Sequence, residues 1–302
     1  MQRFAGVFTP IVTPFTVDDQ LDERALRANV ARWMRSSLTG LVVLGSNGEA
    51  PQLEDHEADR VLVIAREEMP SDRPLIAGTG RESTRATIEA TRRAASFGAD
   101  AAIVRTPGFF RQQMTADVFI RHYTAVADAS PIPVLLYNVS GFTGVSLSAE
   151  AVERLSRHPN IVGMKESGSD IGLIAEFVAR TPDDFTVLAG SATTFVHALA
   201  AGATGCVLAL AAIMPRECHE LMRLVAEGNL ADARALQRRV LPLAKAVGTT
   251  YGVAGLKAAL TLVGFTGGLP RPPLMPASDE TVMVMRRLLD MLGLVAPTGL
   301  VD

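Results

Sequence analysis

Cysteine is scarce in this 302-residue chain, with only Cys206 and Cys218 present. Two thiols do not make a disulfide framework, and such usage suits a reducing cytoplasm. Cys206 lies in an apolar run and reads as a core residue. Charge of one sign does not accumulate either. Lys and Arg total 29 against 32 Asp and Glu, a formal net charge of −3. Without a basic stripe, nucleic acid is excluded as a partner. The histidines (His56, His122, His158, His197 and His219) are scattered, with no metal-ligand spacing, so no metal is expected. No Walker loop and no G-x-S-x-G turn is present. The first residues, MQRFAGVFTPIVTPF, lack the charged-then-apolar plan of a signal peptide. One charge-free stretch, Phe195 to Met214, is long enough to span a bilayer. It holds Gly202, Thr204 and Gly205, and Pro215 follows. It therefore reads as a buried helix, a Gly turn and a buried strand, and no membrane partner is expected.

What the chain does have is alternation. Apolar residues make up 48% and charged residues 20%, a soluble globular balance. The β-rich runs AGVFTPIV, GLVVLG, PLIAG, AAIVRT, IPVLLYN, NIVGMK, FTVLAG and GCVLAL end near Thr13, Gly45, Gly78, Thr106, Asn138, Lys165, Gly190 and Leu208. Most are continuously apolar, as parallel strands covered on both faces are. Amphipathic stretches lie between them. Asp22 to Ser37 places Leu26, Val30, Trp33 and Met34 on one face, with Asp22 as N-cap. Glu54 to Glu68, Ser83 to Phe97, Thr115 to Ala129 and Ser148 to Ser156 follow suit. Eight such units predict an α/β fold of the closed (β/α)₈ type over residues 1–228. An open doubly wound sheet is the runner-up, but TPIVTPF stands where its Gly-rich turn would be. Helical patterns continue over Pro215 to Glu227, Leu230 to Ala246, Val253 to Val263 and Ser278 to Leu292. Residues 229–302 are thus expected to form a C-terminal helical extension packed on the barrel.

In such a barrel, chemistry sits at the C-terminal strand ends. Those ends carry GSNGE (Gly45 to Glu49), Tyr137 and Asn138, Lys165 to Gly168, and AGSAT (Ala189 to Thr193). Lys165 closes the apolar run IVGM. Burial disfavours an ammonium, and a neutral amine is what Schiff-base formation needs. A strand-end Lys that snorkels into water or pairs with Glu166 is the bland alternative. Tyr137 ends the neighbouring strand, where its hydroxyl can relay protons; a satisfied core Tyr is the more common fate. The two glycines of GSNGE allow close backbone approach and free N–H groups able to hold a carboxylate, although an ordinary βα turn looks the same.

Taken together, GVFTPIVTPF, GSNGE, AGTG, GADAAIV, PIPVLLYN, IVGMKES, VLAGS and the late RPPL span nearly the whole chain. The chain resembles the dihydrodipicolinate synthase / N-acetylneuraminate lyase family of class I pyruvate-dependent aldolases. GSNGE, SPIPVLLY and HPNIVGMK look closest to 4-hydroxy-2-oxoglutarate aldolase. The resemblance implies that Lys165 forms an imine with pyruvate, with no cofactor and no metal, and that Tyr137 relays protons. It implies that Ser46 and Asn47 hold the pyruvate carboxylate. It places Gly190 and Val207 around Lys165 and Ser167 near the second substrate, and it implies a homotetramer built as a dimer of dimers. Four departures stand out. Phe142 occupies the place of an Arg that grips the second substrate's carboxylate in the synthases, and Ser140 replaces a Pro of that loop. Phe109 stands where many members have a Tyr lent across the dimer interface, and Asn47 replaces a relay Thr. The expectation is an aldolase of 4-hydroxy-2-oxo acids with glyoxylate or a similar aldehyde as acceptor. Dihydrodipicolinate synthase, a sugar-acid lyase or dehydratase, and a silent 2-oxo-acid-binding barrel are the alternatives.

Overall fold

The structure, a computed structural model, describes residues 4–295. Eight parallel strands close into a barrel in sequential order. They are β1 (Gly6–Pro10), β2 (Gly40–Val43), β3 (Leu75–Gly78), β4 (Ala101–Arg105), β5 (Val134–Asn138), β6 (Ile161–Glu166), β7 (Thr186–Ala189) and β8 (Gly205–Val207). The last closes on the first, with Val7 beside Cys206 and Phe8 beside Val207. Continuous apolarity has its cause in two cores. Phe8, Val42, Ile76, Ile103, Leu135 and Leu188 fill the barrel interior. Their strand neighbours Val7, Leu41, Leu75, Val104, Leu136 and Val187 pack outward under the helices. Alternating residues thus serve opposite faces, and both faces are dry.

The helices between strands are α1 (Glu23–Met34), α2 (Asp55–Glu68), α3 (Thr84–Ser96), α4 (Ala116–Ala129), the short turn α5 (Ser140–Thr143), α6 (Ala149–Leu155), α7 (Ile171–Arg180) and α8 (Phe195–Ala200). Their starts are encoded locally. Asp22 accepts a hydrogen bond from Ala25 N, and Ser83, Thr115, Ser148 and Asp170 cap α3, α4, α6 and α7 in the same way. Trp33 of α1 is buried, and its Nε1–H donates to Ala212 O at 3.0 Å.

The stretch from Phe195 to Met214 is α8, a turn, β8 and a 3₁₀ turn, as its glycines predict. No described helix is long and apolar enough to cross a membrane. Cys206 and Cys218 are both fully buried and unbridged. The first strand is shorter than expected, ending at Pro10 rather than Thr13. Pro14 lies just beyond, and proline has no N–H to continue a ladder.

After the barrel come α9 (Pro215–Ala226), α10 (Leu230–Lys245), a π turn over Ala246–Thr250, α11 (Gly252–Leu262) and α12 (Asp279–Met291). α10 packs on α8 and α9, and α11 on α12. The π turn, a wide turn of the kind frequent at functional sites, brings Gly248 and Thr249 to the mouth of the barrel. Residues 296–302 of the expected extension lie outside the described residues.

Candidate active site

The C-terminal end of the barrel holds a cavity of about 370 Å³ lined by Lys165, Tyr137, Ser46, Asn47, Ser167, Gly190, Val207 and Phe142, among others. These eight candidate residues read from the sequence are therefore in one place. The strand register explains the central pair. Tyr137 of β5 is directly beside Lys165 of β6, so both project to the interior from the same level. Lys165 Nζ sits 4.3 Å from the centre of the Tyr137 ring. Lys165 is 6% exposed and Tyr137 is 6% exposed. The amine is thus withdrawn from water rather than snorkelling.

Nor does Lys165 pair with Glu166. Successive strand residues point to opposite faces, and Glu166 turns outward. Its Oε2 accepts from Asn138 Nδ2 at 2.5 Å, and its Oε1 accepts from Gly168 N. Burial raises the Glu166 pKa, against the lowering effect of those two hydrogen bonds. Asn138 Oδ1 accepts in turn from Leu147 N at 3.0 Å. This outer-face bridge ties the ends of β5 and β6 together, one residue beyond the reactive pair. Sequence reasoning missed it, although the adjacent positions Asn138 and Glu166 carry the signal of two polar residues closing apolar strands.

The Tyr137 hydroxyl lies 3.3 Å from Ser46 Oγ, either atom being able to donate. Burial works to raise the phenol's pKa. The charge of Lys165 and hydrogen bonds with Ser46, Lys165 and Ser167 outweigh it, so the pKa lies below the ordinary tyrosine value. A phenol so placed gives and takes protons readily.

Ser46 is held by an unusual loop. Leu44 and Glu49, on either side of it, both have positive φ, at 55° and 56°. For a residue with a Cβ this costs about 1–2 kcal/mol. The loop keeps that conformation because Glu49 is fixed from below. The Glu49 carboxylate is fully buried, 2.5 Å from Lys257 Nζ of α11, and accepts from Arg271 N at 2.7 Å. Arg271 itself reaches Glu57 and Asp19. The chain has three lysines, Lys165, Lys245 and Lys257. Lys257 is engaged by Glu49 and Lys245 is exposed, which leaves Lys165 as the amine in the cavity.

Gly190 closes the site from β7. A Cβ there would fall 2.9 Å from Lys165 Cε and 2.2 Å from Ser167 Oγ. Only glycine leaves room for the lysine side chain. Phe142, from α5, is 71% exposed at the cavity's rim. Phe109 is elsewhere. It is 78% exposed, edge-on to Phe110, and lines a neighbouring cavity rather than the one with Lys165.

Comparison with known proteins agrees with this arrangement. The model of the dihydrodipicolinate synthetase family matches residues 3–292. A 4-hydroxy-tetrahydrodipicolinate synthase of an Exiguobacterium species is 39% identical over 91% of this chain and 93% of its own length. The protein of the same name from Methanothrix thermoacetophila is 38% identical over 95% and 96%. Among solved structures, dihydrodipicolinate synthase from Thermotoga maritima superposes with a TM-score of 0.92 at 32% identity, covering 97% of this chain and all of that one. A match of this extent, on a barrel whose strand ends converge on one buried lysine, leaves a single conclusion: the chain belongs to the dihydrodipicolinate synthetase family.

Proposed function

We propose that this protein is a Schiff-base lyase in which Lys165 binds pyruvate as an imine and the resulting enamine is joined to a small aldehyde. The family makes it a carbon–carbon lyase using pyruvate. The observation that carries the finer reading is the pair itself: a buried amine 4.3 Å from the ring of a buried tyrosine whose hydroxyl meets Ser46. The Lys165 amine, once its proton has passed to a neighbouring group, attacks the C2 carbonyl of pyruvate, and water leaves as the imine forms. Loss of a C3 proton gives the enamine. Its carbon attacks the aldehyde carbonyl, and hydrolysis frees the product and the amine. Tyr137 is the group in reach of Lys165 that can carry protons to and from the departing oxygen. Ser46 and Asn47 face the same space and suit the pyruvate carboxylate. No step calls for a metal, since the imine is the electron sink.

The acceptor divides the reading. The relatives' names favour condensation of the 4-hydroxy-tetrahydrodipicolinate synthase type, with aspartate semialdehyde as acceptor. Phe142 favours the second reading, a 4-hydroxy-2-oxo acid aldolase, because an aromatic ring cannot pair with a carboxylate. A cytoplasmic homotetramer is part of the same proposal.

Pyruvate followed by borohydride tests the shared step. One secondary-amine adduct per chain is expected by intact mass, on the peptide containing Lys165, with or without chelator. Lys165→Ala should give none. Trapping on Lys245 or Lys257, or no adduct at saturating pyruvate, refutes the mechanism.

A further inference from the structure

On the outer face of β5 and β6 a buried carboxylate is bridged to a buried amide. Asn138 and Glu166 stand opposite each other, one step beyond Tyr137 and Lys165 in the strand register. Glu166 faces no cation among the described residues, and the charge that acts on it is another acid, Asp170. A buried carboxylate without a counter-ion is costly. Its two oxygens are therefore needed where they are.

Both oxygens meet donors. Asn138 Nδ2 donates to Oε2 at 2.5 Å, and Gly168 N donates to Oε1. Gly168 leaves room for this approach, since a Cβ there would fall 2.7 Å from Oε1. Asn138 Nδ2 also donates to Ser146 Oγ at 3.0 Å, and Asn138 Oδ1 accepts from Leu147 N. An amide side chain at 166 would have one oxygen for two donors, whereas a carboxylate accepts on both sides. The backbone repeats the tie. Ser167 N donates to Asn138 O at 3.0 Å, and Gly190 N donates to Glu166 O at 2.6 Å. Glu166 is thus fastened to β5, to the turn after β6 and to the end of β7. The residue before it carries the amine, and the residue after it, Ser167, meets the Tyr137 hydroxyl.

We propose that Glu166 and Asn138 are positioning residues for imine formation: from outside the cavity, their bridge sets the Lys165 amine against the Tyr137 hydroxyl. The inference rests on the pyruvate reading. What the bridge requires is one acceptor-only side chain facing one amide, in either order. Combining Asn138→Asp with Glu166→Gln exchanges them. The new carboxylate at 138 then accepts from Leu147 N, from the Ser146 hydroxyl and from the new amide at 166, whose oxygen accepts from Gly168 N. Every donor keeps an acceptor, and the charge is unchanged. Neither half alone achieves this. Glu166→Gln turns an amide N–H against Asn138 Nδ2 or Gly168 N, and Asn138→Asp sets two carboxylates against each other.

The test measures the rate of borohydride trapping on Lys165, with urea midpoints beside it. Each single variant should trap about tenfold to a hundredfold more slowly at saturating pyruvate, the scale of a misplaced reacting group. The pyruvate concentration that half-saturates trapping should stay within about threefold, because the Ser46–Asn47 loop is untouched. The double variant should return to within about threefold of the wild type, a non-additivity expected of coupled side chains. Single variants that lose stability but trap at the wild-type rate would make the bridge structural. A double variant no faster than the slower single would show that the two side chains act apart. Either result overturns the proposal. Glu166→Asp keeps the charge and falls one methylene short, so it serves if a single variant fails to fold: slowed trapping is expected, and a wild-type rate overturns the role. A last arm needs no pyruvate. Reductive methylation of Lys165 by formaldehyde and cyanoborohydride, read on its peptide by mass, should change in rate in both single variants and revert in the double. If the wild type fails to trap pyruvate, the pyruvate reading falls, and this arm still decides the pair: one methylation rate in all four proteins overturns it.

Discussion

The room that Lys165 occupies is set by what Gly190 lacks. A methyl at that position meets Lys165 Cε at 2.9 Å and Glu166 O at 2.9 Å, and the backbone oxygen cannot yield. Gly190→Ala should therefore lower kcat/KM about a hundredfold through misplacement of the amine, with slower borohydride trapping of pyruvate and a melting temperature lowered by the overpacking. Normal trapping in that variant would show that the lysine has another route. Tyr137→Phe removes the one phenol beside the amine and should cost about 10²–10⁴-fold in kcat, the range for a lost proton carrier. Ser46→Ala keeps the phenol and loses only a 3.3 Å contact, so it should cost far less. Comparable losses in both variants would mean that the two hydroxyls carry the proton together rather than Tyr137 alone. Residues of this kind were legible in the sequence where a polar group closes an apolar run, as in IVGMK and PVLLYN. The pairing of Arg105 with Glu82 was not legible, because nothing in AAIVRT or GRES says which charge a strand-end arginine will meet across the next loop.

Elements were legible to the degree that their signals are local. Caps at Asp22, Ser83, Thr115 and Ser148 mark helix starts to within a residue. The four-residue α5 has no such signal, and neither does the π turn that shapes the cavity mouth, since both are held by packing. The α3–α4 pair shows how packing also sets proton affinity. His122 of α4 is 5% exposed, with Nδ1 2.9 Å from Thr84 Oγ1 at the start of α3. Burial lowers its pKa to about 4, the charge of Glu82 acting weakly the other way. The unfolded chain takes up this proton near pH 6.5 and the folded one only near pH 4. Between these values the unfolded state binds more protons, so stability falls as pH falls through that window and is constant above it. The loss amounts to about 3 kcal/mol at most. Urea midpoints measured from pH 7 to pH 4.5 should decline less steeply for His122→Phe than for the wild type. Glu57, whose pKa is lowered by its hydrogen bond with Arg271, adds its own loss below its ordinary range in both proteins. Parallel declines over the upper window would show that His122 is not the group responsible.

Across the whole molecule, the count of strand–helix units and their two-sided apolarity announced a closed barrel, because both follow from period and length. How the C-terminal helices meet the barrel was not legible, since it turns on one buried ion pair. Glu49 sits in the loop after β2, and Lys257 more than half the chain away on α11, with side chains 0% and 2% exposed. Lys257 Nζ also donates to Leu269 O at 2.6 Å. Burial lowers the Lys257 pKa while the Glu49 charge holds it up. The extension thereby reaches under the segment that presents Ser46 and Asn47, and pulls against the left-handed backbone at Glu49. Two consequences follow from the cost of a lone buried charge. Lys257→Met strands the Glu49 carboxylate and should destabilise the protein by about 3–5 kcal/mol. Adding Glu49→Gln, which keeps an acceptor for Arg271 N while removing the charge, should return most of that stability in a double-mutant cycle. If the pair merely glued two surfaces together, the double variant would also regain the affinity for pyruvate. If instead the pair holds the Ser46–Asn47 loop in its strained form, stability returns while KM for pyruvate stays raised. The second outcome is expected, because a neutral amide and a thioether cannot reproduce a 2.5 Å ionic contact against a positive φ. Recovery of both quantities together would place the loop's geometry under the control of the barrel alone.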